Sequence, residues 1–330
     1  MTGRTRGDGT PAPSGILQPT RRAVLGLAYA ASIAAAGACG LRLDLPQPAP
    51  PVPTRRLVPD EKVLVGAVRE LDELVAGAGS VTRPGRAGPT LATLAALFSA
   101  QARVVTGRLT NDGVPSEVIR PTSTGRPGTP TASGTAVPAP TRTTRPALTV
   151  ATYVEQLGAL DSGHWAGVAA ATPDNRELLV SLASVRLAGS LLLGGELPFG
   201  SPAAAARPYL AQRTAPLVYG FEVVAAQSSG AARTRALAAL EEATELLRAL
   251  GDTSSDAPGG WSLPFPVTTL KEASRLAQHL LGTAVAATVI EADRTPDARS
   301  LDEIARWSAR VQVLSARWGI PITALPWMST

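Results

Sequence analysis

One cysteine, Cys39, is all that the chain contains, so no intramolecular disulfide and no thiolate metal site can form. The fold must rest on an apolar core. Runs of alternating β-branched residues are also missing, which excludes a substantial sheet. The apolar stretch from Ala23 to Ala38 is shorter than the roughly 20 residues a spanning helix needs, and it is diluted by Gly, Ser and Ala. Histidine occurs only twice, as His164 and His279, and never in a Glu-x-x-His pair. No Ser-His-Asp arrangement, glycine-rich phosphate loop or zinc-ligand spacing is present. These absences leave no catalytic residue and no cofactor to assign, and the expectation is a non-catalytic protein.

A surplus of one charge sign is missing as well. The formal net charge is +5, but the four arginines and one aspartate of residues 1–38 contribute +3 of it, and the five arginines and two acids of residues 108–147 another +3. The rest of the chain, residues 39–107 and 148–330, carries −1. A nucleic-acid partner needs a clustered basic face, so none is expected.

What is present begins at the N-terminus. Arg21 and Arg22 precede the Ala23–Ala38 run, which ends in Ala36-Gly37-Ala38-Cys39. Basic region, apolar region and small residues in that order read as a removable export signal over 1–38. The arginine pair resembles a twin-arginine signal, which exports folded proteins. Ala36-Gly37-Ala38-Cys39 resembles a bacterial lipobox, in which the cysteine is lipidated and becomes the mature N-terminus. The plain alternative is cleavage after Ala38 with Cys39 incidental. The location expected is the extracytoplasmic side of the cell membrane, through a lipid anchor on Cys39.

Two segments separate the helical regions. Residues 39–59 form a tether whose six prolines, all between 46 and 59, make it stiff and extended. Residues 121–147 hold eight threonines and six prolines without apolar periodicity, and the whole link 108–147 is expected to be disordered. Thr/Pro-rich sequence outside the cell is also a plausible target for O-glycosylation.

Elsewhere apolar residues recur at three- and four-residue steps, the period of an amphipathic helix. The pattern predicts helices over 61–76, 90–107, 150–170, 174–193, 202–227, 232–250, 270–292 and 301–318. Thr172-Pro173 and Ser201-Pro202 look like caps followed by proline at the first helical position. Thr269-x-x-Glu272 and Ser300-x-x-Glu303 fit capping boxes. The fold class is therefore all-α. In the second half, hairpin, long crossover (Gly251 to Thr268) and hairpin follow the order of a ferritin-like four-helix bundle at 202–330. Helices at 60–107 and 148–195, joined by the 108–147 link, repeat the plan as an N-terminal bundle. Two tandem bundles and one assembly of eight helices both fit.

Residues 205–328 also resemble the ferritin-like domain of unknown function found in exported actinobacterial proteins. The resemblance rests on Tyr219-Gly220-Phe221-Glu222, the Ala-rich helix through Glu241 and Glu242, Leu263-Pro264-Phe265-Pro266-Val267, and the tail ending Leu325-Pro326-Trp327. It implies a helical fold and an envelope location, and no activity. The Glu-His pair that such domains often carry in their first helix is replaced here by Ala211-Gln212-Arg213.

A di-iron bundle needs inward glutamates and two Glu-x-x-His motifs, which this chain lacks. The best remaining pair is Asp161 and His164. On one continuous helix they would share a face with Leu157 and Val168, point inward, and supply half of a metal site, with Gln101, Asp72 and Glu61 the only neighbours on facing helices. The opposing reading is a buried histidine satisfied by its own carboxylate, or a helix broken at Gly163. His279 reads as solvated, and Glu272 as a cap. Glu291 lies near a helix end, Glu222 flanks its apolar stripe, and Glu241, Glu242 and Glu245 fall on the polar side of theirs. Trp307 and Trp318 read as core. The expectation is a membrane-anchored envelope lipoprotein whose helices bind a protein, lipid or cell-wall partner. The alternative is a metal or redox bundle with a reduced site at Asp161 and His164.

Overall fold

The computed structural model describes residues 55–121, 147–199, 205–251 and 260–326, and apart from one 3-10 turn at Gly85–Ala87 every regular element in them is an α-helix. The signal, most of the tether, and residues 122–146 of the link lie outside the described residues. Helix α1 (Glu61–Ser80) starts from Asp60, whose backbone is left-handed at φ 60°. It buries Leu64, Val68, Leu71 and Leu74. Helix α2 (Gly88–Asn111) carries Pro89 at its start, where a missing N–H costs nothing. Its buried stripe is Leu91, Leu94, Phe98 and Val105. The two helices form a hairpin with the most extensive pairwise packing in the fold.

The link is more ordered at its start than its composition predicts. Helix α2 runs on to Asn111, Gly113 turns the chain at φ 82°, and a short helix α3 (Ser116–Ile119) follows. Val114 and Ile119 are buried, and Arg120 reaches Asp72 of α1 at 2.6 Å. Two apolar anchors in six residues are enough to fold this stretch onto the α1–α2 hairpin. At the far end of the link, Val81 and Leu148 form an isolated β-bridge.

The helix predicted over 150–170 is two helices. Helix α4 (Val150–Gly158) is capped by the Thr149 side chain, and helix α5 (Ser162–Ala170) by Asp161. The break has a cause outside the segment. Buried Arg186, from helix α6 (Pro173–Leu192), donates to the carbonyls of Gln156, Leu157 and Ala159, at 2.5, 2.9 and 3.1 Å. It thereby satisfies the end of α4 that continued helix would otherwise satisfy.

Helix α6 is buried on every side, not along one stripe. Every residue from Leu178 to Ser190 is buried, while Leu192 is 38 % exposed. A helix apolar all round belongs in a core, and α6 packs on α2, α4, α5, α9 (Leu270–Arg294) and α10 (Ala298–Arg317). Helices α7 (Arg207–Ala226) and α8 (Gly230–Ala249) form a hairpin, and α7 and α10 both pack on α9. The broadest partner of α10 is α6, a helix of the other half of the sequence. The described residues from Arg56 onward accordingly form one compact unit.

Helix starts follow the sequence in part. Thr269 and Glu272 make the expected capping box, and α6 begins at Pro173. Helix α7 begins at Arg207, later than 202. Ser300 does not open α10: Asp297 is the cap and accepts from Ser300 N at 2.9 Å, and Ser300 already lies inside the helix. Glu303 is thereby freed for a different role.

Candidate functional site

The structure sets Asp161 and His164 side by side without aiming both inward. The new helix after the break resets the phase, so Asp161 is exposed, and its Oδ1 accepts from the backbone N–H of His164 at 2.8 Å. It acts as an N-cap. The His164 ring turns toward the protein and meets Trp165 edge-on, with centroids 5.1 Å apart. Its Nε2 is buried without a hydrogen-bond partner. Burial pushes its pKa below the ordinary imidazole value, opposed by the nearby Glu70 carboxylate.

The recess beside His164 is lined by Leu71, Leu160, Leu182, Glu70 and Arg186, and its cavity volume is about 20 Å³. That is room for about one water, not for an organic substrate. The neighbours weighed for a metal site are engaged elsewhere. Gln101 donates to the Ala324 carbonyl at 2.8 Å, Asp72 binds Arg120, and Glu61 accepts from Val58 N–H. Among the described residues no group of three or more His, Cys, Asp or Glu could hold a metal ion.

The other candidates sit where the sequence puts them. His279 is exposed and lies edge-on to Phe265, with ring centroids 6.3 Å apart. Glu291 is half-buried near the end of α9, with Arg294 at 3.8 Å. Glu222, Glu241 and Glu245 are exposed, and Glu242 pairs with Arg317 at 2.5 Å. Trp307 is fully buried and donates from Nε1 to Thr214 Oγ1 at 2.8 Å; Trp318 is 7 % exposed.

Sequence reasoning overlooks the buried arginines. Arg176 donates to Ala169 O and Ala171 O at the end of α5 and to Asp293 O at the end of α9. Arg207 is paired with Glu303, Nη2 to Oε1 at 2.6 Å, with both side chains buried; it also reaches Ala249 O at the end of α8, at 3.4 Å. Arg186 closes α4 and pairs with Glu70. A cation at a helix C-terminus meets both the unpaired carbonyls and the negative end of the dipole. These charges hold helices together. The only sequence signal for them is an arginine within an apolar stretch.

The described residues also form open grooves, two of them sizeable. One, of about 360 Å³, lies between α7 and α9, with Gln212, Arg213 and His279 at its edge and Pro216, Leu217 and Leu280 on its walls. The larger, of about 670 Å³, lies between the second half of α2 and the first turns of α6. Arg103, Arg108 and Asp112 stand on the α2 side, Asp174 and Glu177 on the α6 side, and Val104, Gly107 and Leu178 supply apolar surface.

The twin arginines Arg21 and Arg22 and the lipidation candidate Cys39 lie outside the described residues. Among the described residues, no helix is long and apolar enough to cross a membrane. In comparison with known proteins, the chain matches no protein-family model, no curated protein and no solved structure.

Proposed function

We propose that this protein is a cell-envelope lipoprotein, exported through the twin-arginine route on Arg21 and Arg22 and anchored by a lipid on Cys39. Its helical body serves a binding or structural role and not a catalytic one. The single observation that supports binding over catalysis is how the interior charges are used. Arg176, Arg186 and Arg207 close helix ends, Glu303 is paired with Arg207, and Asp161 caps α5. A groove of about 670 Å³ is instead open at the surface, with charges on its rim. Within this reading the C-terminal part is a ferritin-like four-helix arrangement. The α7–α8 hairpin, the α9–α10 hairpin and the crossover between them support it.

Membrane fractionation of cells expressing the full chain tests the anchor. Cys39→Ala should move the protein to the soluble envelope fraction, and changing Arg21 and Arg22 to Lys should block export. Unchanged membrane retention of Cys39→Ala overturns the lipoprotein reading. Co-purification from membranes with the anchor intact identifies the partner. Elemental analysis tests the non-catalytic part: about one iron per chain, lost in His164→Ala, would replace it with a metal or redox function.

A further inference from the structure

Helices α2 and α6 are close at one end and open at the other. Near the end of α6, Gly189 admits Leu94 of α2: a Cβ on Gly189 would lie 2.8 Å from Leu94 Cδ2. At the other end, Arg103 to Asp112 of α2 and Asp174 to Leu178 of α6 flank the groove of about 670 Å³, a size in the range of small-ligand sites. Its floor is apolar. Val104 is 40 % exposed, and Gly107 leaves space that a side chain could occupy, with nothing within 4 Å of a Cβ placed there.

The charges around this floor are divided and unmatched. Arg103 and Arg108 belong to α2, Asp174 and Glu177 to α6, and none of the four forms an ion pair or a side-chain hydrogen bond with another described residue. Two other acids bear on the basic wall: Asp112, exposed at the end of α2, and Asp60, which acts electrostatically with Arg108. Arg103 is exposed and forms no ion pair with a described residue. On the acidic wall, burial together with Asp293 and Asp174 pushes the Glu177 carboxyl above its ordinary range.

We infer that the α2–α6 groove binds a short extended peptide with both ends free, its ammonium against Asp174 and Glu177 and its carboxylate against Arg103 and Arg108. A groove of about 670 Å³ is on the order of 9 Å across if equally wide in every direction, and three extended residues span about 10 Å. A tripeptide with small side chains therefore reaches both walls while its methyl groups cover Val104 and Leu178. A singly charged ligand would satisfy one wall and leave the other unmatched. Carboxylate on guanidinium is the stronger, bidentate contact, and the ammonium supplies direction.

This inference deepens the binding role and does not depend on Cys39. Its test uses the isolated full chain and trialanine, compared with trialanine acetylated at the N-terminus, amidated at the C-terminus, or blocked at both ends, followed by NMR titration. Trialanine should give saturable shifts at groove residues, and each single block should weaken binding at least about tenfold, the loss of one charge-assisted contact. Arg103→Gln should reduce the penalty for amidation, and Glu177→Gln the penalty for acetylation, because Arg108 and Asp174 remain. Gly107→Phe should fill the groove and remove binding while the thermal transition stays in place. No saturable shift up to about 10 mM, equal binding of the doubly blocked peptide, or unchanged binding by Gly107→Phe overturns the proposal. Failure here leaves the anchor untouched, and failure of the fractionation leaves the groove untouched.

Discussion

Asp60 joins α1 to α6. Its Oδ2 accepts from Thr172 N at 2.8 Å, Thr172 Oγ1 at 2.6 Å and Asn175 Nδ2 at 2.8 Å. Burial raises its pKa, but these hydrogen bonds outweigh burial and hold the carboxyl below its ordinary value. A carboxylate of this kind stabilises the fold above its unfolded pKa, about 3.9, and loses that contribution as pH falls through the lower folded value. Asp60→Asn keeps the left-handed backbone tolerable and removes the charge. It should cost about 1 kcal/mol near neutrality, and the gap from wild type should close below about pH 4. Urea unfolding at several pH values measures this, and a gap independent of pH would mean that the charge is irrelevant. Arg186→Met removes the donor for three carbonyls at once. The loss should be about 2–4 kcal/mol in the same assay, since Glu70 keeps access to water.

At the scale of elements, glycine separates close approach from open surface. Gly189→Ala should destabilise by about 1–3 kcal/mol, because Leu94 and Leu157 already fill the space. Gly107→Ala, on the exposed face of α2, should stabilise by about 0.5–1 kcal/mol, since alanine loses less backbone entropy in a helix. Thermal melts of the two variants should move in opposite directions. The elements themselves are largely legible in the sequence. Seven of the eight predicted helices have direct counterparts, because their apolar spacing and caps are local properties. Asp161 and His164 are misread for the same reason. Their predicted shared face assumes a helix continuous through 159–161, and the residue that ends it, Arg186, is remote in sequence.

For the whole molecule, α6 belongs to both halves, so the body should not unfold in two steps. Variants that keep only Trp165 or only Trp307 place reporters on α5 and α10. Their fluorescence midpoints in denaturant should coincide, as they do for a cooperative unit. Separate midpoints would mean that the halves are independent domains. The sequence alone determined that the described residues are helical, where most of the helices lie, and that Trp307 and Trp318 enter the core, because helical period and hydrophobicity act within a few residues. It also showed that the chain holds no Glu-x-x-His motif, which is a matter of residue identity. Tertiary structure decided the rest: the burial of α6 on every side from Leu178 to Ser190, the arginines that close distant helix ends, the pairing of Glu303 with Arg207 in place of a capping box, and the groove between α2 and α6. Each of these depends on residues far apart in sequence, and no local pattern encodes which helix an arginine will reach or where two helices will stand apart.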